Sequence, residues 1–474
     1  MKYDITVIGG GVVGTAIFNK LVRLGKKVCL IEKQNDVGFG SSKANSALIH
    51  AGFDCKPNTL KAKLNVRGNA MWKDLAARLG VPFVQRGHLV VGEDRQKLVE
   101  LLERGKQNGV PKLKIIEADA LCKMEPNLKQ KNVCALFAGT GGEVSSYDLP
   151  IALAEEAIIN GGTVLLEFDT KKIIKKAGKF EIVAQDGRKV ESTYVVNSCG
   201  AGYNDIARLL GAETYDIKFR RGEYYLLDKK VAGYVNHTIF PLPTKDSKGI
   251  LVTETVHGNL MVGPTSIPSG EEPITSTLGL AEIKTQTEEM YNGLPFNQTI
   301  RVFSGVRNIV GEDFVIEKSA KVPNVINLAG ICSPGLTSAP AIAEMVATLL
   351  GLDPQAEVKG LKRRKGYTNL SAMSNAERAE FVQKHPSYGK IVCRCEGVSL
   401  GQITEAVNSP LPARSVDGIK RRVRAGMGRC QGGFCLFGVM ETLAKSAKTN
   451  FGDQCKDGKN SIICHESIKP QGGK

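Results

Sequence analysis

The sequence predicts an α/β protein in three parts. These are a dinucleotide-binding domain on a parallel sheet, an inserted α+β domain with an antiparallel sheet for substrate, and a small C-terminal domain organised by four cysteines. Three observations predict this. A strand, glycine turn, helix and strand fill the first 32 residues, alternating strands run from about 213 to 268, and two cysteine pairs stand near the C-terminus.

Ile5-Thr6-Val7-Ile8 is a short apolar, β-branched run of the kind buried in parallel sheets. It enters Gly9-Gly10-Gly11-Val12-Val13-Gly14, where Gly9, Gly11 and Gly14 keep the G-x-G-x-x-G spacing. Gly9 permits the tight turn, Gly11 lets backbone approach a pyrophosphate, and Gly14 lets helix and strand pack closely. Ala16, Ile17, Leu21 and Val22 then recur at helical intervals, so a helix N-terminus with its free N–H groups faces the phosphates. Val28-Cys29-Leu30-Ile31 forms the second strand, and Glu32, 18 residues past Gly14, can accept both hydroxyls of an adenosine ribose. An acid there speaks against a 2′-phosphate, leaving NAD or FAD in a Rossmann-type domain. No second G-x-G-x-x-G is present, because Gly200-Ala201-Gly202 lacks the third glycine, so one dinucleotide is expected.

Gly38 to Ser46 is a polar loop of small residues running into His50-Ala51-Gly52. Residues 59 to 110 read as helices around a short strand at His88 to Val91, and Leu149 to Ile159 reads as a helix. Strands follow at Thr163 to Phe168, through the 180s and 190s, and at Tyr194 to Asn197. Antiparallel strands at Phe219 to Leu227, Gly249 to Val256 and Asn259 to Val262 mark the inserted domain. Val325 to Gly330 returns to a parallel strand, and an apolar helix runs from Ala341 to Leu350. The predicted boundaries are 1–75, 145–210 and 300–355 for the nucleotide domain and 76–144 with 211–299 for the substrate domain. A polar linker is expected at 361–390, the cysteine domain at 391–445 and a tail at 446–474.

The 474 residues suffice for several cores, and no apolar run reaches the roughly 18 residues of a membrane span. The first strand begins almost at once, which leaves no signal segment and predicts a cytoplasmic protein. The net charge of +16 is spread along the chain without a nucleic-acid motif, so no nucleic-acid partner is expected. An anionic substrate fits this charge, as does peripheral contact with an anionic membrane surface. Of 12 cysteines, eight are scattered and four are grouped, which fits a reducing compartment and one cysteine-ligated centre.

Several ordered stretches resemble the D-amino-acid-oxidase superfamily of FAD enzymes, most closely its L-2-hydroxyglutarate and glycerol-3-phosphate dehydrogenase branches. They are Gly9 to Gly14 with Glu32, Ser41 to Ser46 through His50 to Gly52, Lys56 to Lys63, Arg221 to Tyr225, Ser304 to Arg307 with Asp313 to Val315, and Ser333 to Thr337. The resemblance implies FAD, with Ser41 and Ser42 near the pyrophosphate and Lys172 beside the adenine through its backbone. Gly330 and Gly335, Leu336 and Thr337 would line the ribityl chain and flavin; Val13, Lys33 and Ser46 join the cofactor set. Arg307 would clamp an anion over the flavin with help from Arg221. His50 is the first choice for the base and His257 the second, since histidine changes protonation near neutral pH. The glycerol-3-phosphate branch usually carries Gly-Gly-Lys before Leu-Thr. Pro334 and Gly335 stand here instead, as in the hydroxyglutarate branch.

Cys393-Arg394-Cys395 and Cys430-Gln431-Gly432-Gly433-Phe434-Cys435 supply four thiolates that could hold zinc or an iron–sulfur cluster. Their spacing resembles the bacterioferritin-associated-ferredoxin-like [2Fe-2S] domain, and Gly428 to Cys435 resembles the tail of anaerobic glycerol-3-phosphate dehydrogenases. Between 390 and 430, eight basic residues stand against three acids, which reads either as a solvated basic face or as an excess that offsets the charge of a cluster. The expected enzyme oxidises a small anionic secondary alcohol, glycerol 3-phosphate first, by hydride transfer to flavin. Its electrons leave through the cluster to an acceptor or partner redox subunit. L-2-hydroxyglutarate oxidation, amine or amino-acid oxidation, and a relay role as an electron-transfer subunit are the alternatives. Because the catalytic motifs precede Thr337 and the grouped cysteines begin at Cys393, the two functions are expected to separate at the linker.

Overall fold

The computed structural model describes residues 1–176, 178–243 and 249–464. The last residues of the expected tail, 465–474, lie outside them. Among the described residues no helix is long and apolar enough to cross a membrane.

The first sheet is centred on Lys2–Ile8, parallel to Val28–Ile31 on one side and Lys189–Asn197 on the other. Thr163–Leu165 adds in parallel beyond Val28–Ile31, and Val325–Ala329 adds in parallel to the end of Lys189–Asn197. Antiparallel strands Thr170–Lys176, Lys179–Ala184 and Val315–Lys318 complete it. Both faces are covered, which is why Val28–Ile31 is buried throughout and apolar without alternation. Helices Val12–Arg23, Leu60–Leu79, Asp148–Ile159 and Gly335–Leu349 share one apolar core with the sheet, around Ile17, Phe18, Leu30, Trp72 and Ile342. Tyr203–Leu210 covers the opposite face.

The second sheet runs Ile267–Ser269, Lys218–Leu227, Leu260–Gly263, Leu251–Glu254, Thr238–Pro241, His88–Gly92, Cys134–Ala138 and Leu113–Ile116. Its neighbours are antiparallel except Thr238–Pro241 with His88–Gly92. Thr299–Ile309 was expected to open the third nucleotide-binding segment; it instead pairs along the whole of Lys218–Leu227. Its β-branched residues serve that ladder, and the segment returning to the first sheet starts only at Val315–Lys318. Ser304 to Arg307 therefore reaches the site from the substrate sheet.

One expectation for the C-terminal third changes. The 361–390 stretch is not merely a solvated wrap, since Arg364 is buried and its Nε donates to Glu155 Oε2 at 2.5 Å. Tyr367 donates to the other oxygen of Glu155 at 2.7 Å, and Asn375–Lys384 is a helix with a Ser374/Glu377 capping box. A buried carboxylate must be paired, and this one takes its partners from the linker. The cysteine domain has a core of its own, with Ile403, Ile419, Val439 and Leu443 on helices Leu400–Val407, Val416–Val423 and Leu436–Ala447.

Candidate active site and thiol centre

The glycine turn has the geometry a pyrophosphate needs. A Cβ on Gly14 would stand 1.9 Å from Gly9 O, so helix and strand meet there with no room for a side chain. Gly11 caps the Val12–Arg23 helix with no side-chain acceptor, and Ser42 Oγ accepts from Val12 N at 2.9 Å. Glu32 is buried, and its two oxygens accept from Gly10 N at 2.6 Å and Gln34 N at 2.9 Å. Burial raises its pKa against the pull of those N–H groups and nearby Lys33. Val13 lies in the first turn of the helix, and Lys33 is exposed just beyond Glu32. The segment hydrogen-bonded to this strand end is Glu167 and Phe168, whose N–H groups donate to Gln34 O and Glu32 O. Lys172 is an exposed residue of the strand Thr170–Lys176, at the edge of the sheet.

The flavin-side residues named from the sequence come together. His50 N donates to Thr337 Oγ1 at 2.9 Å, and Ser333 Oγ lies 3.4 Å from His50 Nε2. Trp72, fully buried, donates from Nε1 to Thr337 O at 3.0 Å. Asn65 and Asn69 both donate to His50 O, so the His50 backbone is held from three directions. Gly335 and Leu336 begin the helix that carries Thr337, and Gly330 ends the preceding strand. Ser41 Oγ donates to Val306 O at 2.5 Å, and Ser46 Oγ and Tyr224 OH are 3.1 Å apart. These two contacts join the cofactor loop to the substrate sheet.

Strand parity decides among the arginines. Arg220 pairs directly with Arg307, Gly222 with Gly305 and Tyr224 with Phe303. Directly opposed residues share a face, and alternate residues along each strand do too. A Cβ on Gly305 would lie 1.9 Å from Ala44 O, so this face looks onto the cofactor loop. Arg307 lies across Gly222, where a Cβ would meet its Nη2 at 2.7 Å, and its only acceptor among the described residues is Thr265 O, at 3.4 Å. Arg220 donates to Ser266 Oγ at 2.9 Å and Ser266 O at 2.5 Å. Arg221 points the other way. Its Nε donates to the fully buried Glu223 at 2.9 Å, and Glu223 also accepts from Ser276, the N-cap of the Thr277–Met290 helix. The expectation that Arg221 assists Arg307 is therefore corrected: the residue on the right face is Arg220.

His257 is corrected as well. It sits in the turn after Leu251–Glu254, its ring stacked on Tyr147 at 6.1 Å, with Ser145 Oγ 3.5 Å from Nε2. Burial, with Arg424 and Lys229 nearby, pushes its pKa down to about 2, and among the described residues its contacts are with Tyr147 and Ser145 and not with His50, Thr337 or Arg307. A different histidine accompanies His50. His88 is fully buried with its ring 6.1 Å from that of His50, and burial and His50 push its pKa to about 3. Near it Glu143, fully buried, accepts from Thr238 Oγ1 at 2.6 Å, and burial raises it to about 7. Arg220, His88 and Glu143 are neighbours of these residues that the sequence reading did not single out, and Tyr224 entered it only within the stretch Arg221 to Tyr225; the signal lay in the strands expected at Phe219 to Leu227 and His88 to Val91, whose facing residues depend on register.

The four grouped cysteines stand as two pairs. Cys395 Sγ is 3.7 Å from Cys430 Sγ, and Cys393 shares a hydrogen bond with Cys435. That hydrogen bond and the N–H groups of Gly426 and Glu396 pull Cys393 down to about 6 despite burial, while Cys435 is raised. The N–H groups of Phe434 and Gly432 lower Cys430. Among the described residues no three metal-binding side chains gather for a single ion. Cys393, Cys395, Cys430 and Cys435, with backbone donors that favour thiolates, are the residues that would hold an iron–sulfur cluster, which would supply one-electron transfer there.

Five of the eight basic residues of 390–430 are paired with carboxylates. Arg421 and Arg422 are buried on Asp36, Arg429 pairs with Asp228, Arg424 with Glu396, and Lys420 with Asp417. Asp36 and Asp228 come from the flavin region, and they reduce the charge excess available to offset a cluster.

This fold and site define an FAD-using oxidoreductase with a [2Fe-2S] domain. The chain belongs to the FAD-dependent oxidoreductase family, whose pattern matches residues 4–349, and a BFD-like [2Fe-2S] binding domain matches residues 391–445. It is similar to a glycerol 3-phosphate dehydrogenase of Caloramator mitchellensis, 41% identical over 470 residues, 97% of this chain and 98% of that one. It is also similar to the mitochondrial L-2-hydroxyglutarate dehydrogenase of Homo sapiens, 28% identical over 73% of this chain and 88% of that one. Among solved structures, the dithionite-reduced L-alpha-glycerophosphate oxidase of Mycoplasma pneumoniae with FAD bound superposes with a TM-score of 0.71. It is 26% identical and covers 77% of this chain and 97% of its own.

Proposed function

We propose that the chain oxidises glycerol 3-phosphate to dihydroxyacetone phosphate and passes the electrons out through its cysteine domain. The observation that carries this is the Arg220–Arg307 pair: two guanidiniums directly opposed on the face that looks onto the cofactor loop. Two adjacent cations suit the compact dianion of a phosphate monoester, whose oxygens can take bonds from both, better than the two separated carboxylates of L-2-hydroxyglutarate. The similarity to a glycerol 3-phosphate dehydrogenase over both domains supports the same substrate. Pro334-Gly335 in place of Gly-Gly-Lys favours the second reading, a 2-hydroxy acid such as L-2-hydroxyglutarate.

FAD, when bound, supplies the hydride acceptor. The protein's part is to hold and deprotonate. Arg307 and Arg220 take the anionic group, with Tyr224 OH and Ser46 Oγ beside the loop. His50 takes the hydroxyl proton at Nε2, where Ser333 Oγ also approaches, and its fixed backbone keeps the ring in place. His88 and Phe240, with ring centroids 6.1 and 6.2 Å from His50, give that ring a partly apolar setting. Anaerobic addition of glycerol 3-phosphate, L-2-hydroxyglutarate and glycine to separate samples tests the assignment. Bleaching of the flavin by glycerol 3-phosphate at far lower concentration than by the others is the expected result. Bleaching by L-2-hydroxyglutarate alone would transfer the assignment to the second reading.

A further inference from the structure

The loop between Glu32 and Ser42 is tied to the glycine turn at two points. Gly38 N donates to Gly10 O at 2.8 Å, and Ser42 Oγ accepts from Val12 N at 2.9 Å. Two residues before the first tie, Asp36, 1% exposed, meets residues of the cysteine domain. Arg422 grips it as a fork, Nη1 to Oδ2 at 2.7 Å and Nη2 to Oδ1 at 3.0 Å, and Arg421 Nη2 reaches Oδ2 at 3.2 Å. Arg422 is itself immobilised on Gly418 O and Leu411 O. Arg421 also lies over the Phe39 ring at 4.7 Å and bonds Asp457 at 2.6 Å; Asp457 bonds Lys43 at 2.6 Å, and its carbonyl accepts from Asn35. The loop is thus held on one side by the fingerprint and on the other by residues of the cysteine domain and tail.

The same helix, Val416–Val423, leads into the thiol loop. Arg424 follows at once, donating to Tyr147 OH at 2.6 Å and to Glu396, the neighbour of Cys395, at 2.9 Å. Four residues on, Gly428 packs so closely that a Cβ would stand 2.2 Å from Cys395 Cβ. Whatever fixes the 425–430 loop therefore fixes the end of the helix that carries Arg421 and Arg422.

We propose that Arg421 and Arg422 are positioning residues for FAD, acting through Asp36, and that cofactor binding and cluster assembly are thereby coupled. The cluster orders the thiol loop and its helix, the helix holds Asp36, and Asp36 holds the loop that closes on the pyrophosphate. By linkage the coupling is reciprocal, so FAD must stabilise the cluster as much as the cluster stabilises FAD binding. Couplings of this kind commonly amount to about 5- to 150-fold in affinity.

Two measurements test it. The first is FAD affinity, followed by quenching of flavin fluorescence on flavin-stripped protein whose fold is checked by circular dichroism. Arg422→Lys keeps the charge and loses the fork, and Asp36→Asn keeps the shape and loses the charge. Each is expected to raise the FAD dissociation constant about tenfold or more, and Cys430→Ser, which removes a cluster ligand, to do likewise. The second uses wild-type protein only and needs no variant to fold: the iron retained at equilibrium with a competing chelator is measured with and without bound FAD. Greater retention with FAD is expected. Equal retention in both states, or an unchanged FAD dissociation constant in folded Arg422→Lys and Asp36→Asn or in folded Cys430→Ser, would overturn the proposal.

Discussion

Two arginine pairs in this molecule have the same charge and opposite fates. Arg220 and Arg307 lie side by side on the substrate sheet and meet only a serine hydroxyl and backbone carbonyls among the described residues. Arg421 and Arg422 lie side by side on a helix and are held by Asp36 and Asp457 inside an interface. The first pair keeps donors for an incoming anion; the second is buried against carboxylates of this chain. A count of basic residues cannot tell them apart, and neither can proximity to a cofactor, since both pairs adjoin the loop that follows Glu32. The carboxylate opposite each one decides.

The comparison breaks most visibly at Asp36. Asp36→Ala leaves two buried guanidiniums facing no carboxylate there, and loss of one partner from a buried pair costs about 3–5 kcal/mol. A fall of that size in unfolding free energy is expected in denaturant titration. A loss under about 1 kcal/mol would mean that water or Asp457 relieves the pair. Arg307→Lys comes next: kcat/KM should fall about 100-fold, because lysine keeps the charge without the planar fork. Arg220→Lys should cost less, about tenfold, since Ser266 already occupies part of its fork.

Smaller effects sharpen the contrast. Arg221→Lys should leave kcat/KM within about twofold and lower stability by about 1–2 kcal/mol through its bond to Glu223. A large kinetic defect would return Arg221 to the site. His257→Gln should likewise leave substrate bleaching of the flavin unchanged, since the ring lies against Tyr147. The acid limb of stability provides the last test. Burial raises the Asp36 carboxyl, but Arg422 and Arg421 more than reverse this and hold it below its ordinary value. Its contribution is therefore complete above the unfolded pKa, about 3.9, and is lost as pH falls through the lower folded value. The stability gap between wild type and Asp36→Asn should be constant near neutrality and shrink only at strongly acid pH.

What could be read from the sequence was whatever is local. The strand, glycine turn, helix and strand of the first 32 residues, and the paired cysteines, carry their meaning in spacing of a few residues, and the structure has them at those places. Thr337 and His50 were found through resemblance, although they are joined across 287 residues of chain. Arg221 was named and Arg220 not considered, and parity on a strand has no sign until the partner strand and its register are known. Thr299–Ile309 was misplaced for the same reason: an apolar, alternating run does not say which sheet it will join. The basic stretch was read as a solvated face or as an offset to the charge of the cluster, because its counter-charge, Asp36, lies 386 residues away from Arg422.

The Asp36 contact also imposes an order of events on biosynthesis. The nucleotide-binding turn is among the first pieces to leave the ribosome, yet the side chains that fasten its loop emerge almost 400 residues later. A nascent chain, or one cut short before Val416–Val423, carries the complete glycine fingerprint with Asp36 still waiting for its arginines. On the coupling proposed above, flavin loading would be a late event, and a chain without the cysteine domain would hold the pigment poorly. Half-made enzyme would thus be less able to take electrons from substrate with nowhere to send them but oxygen.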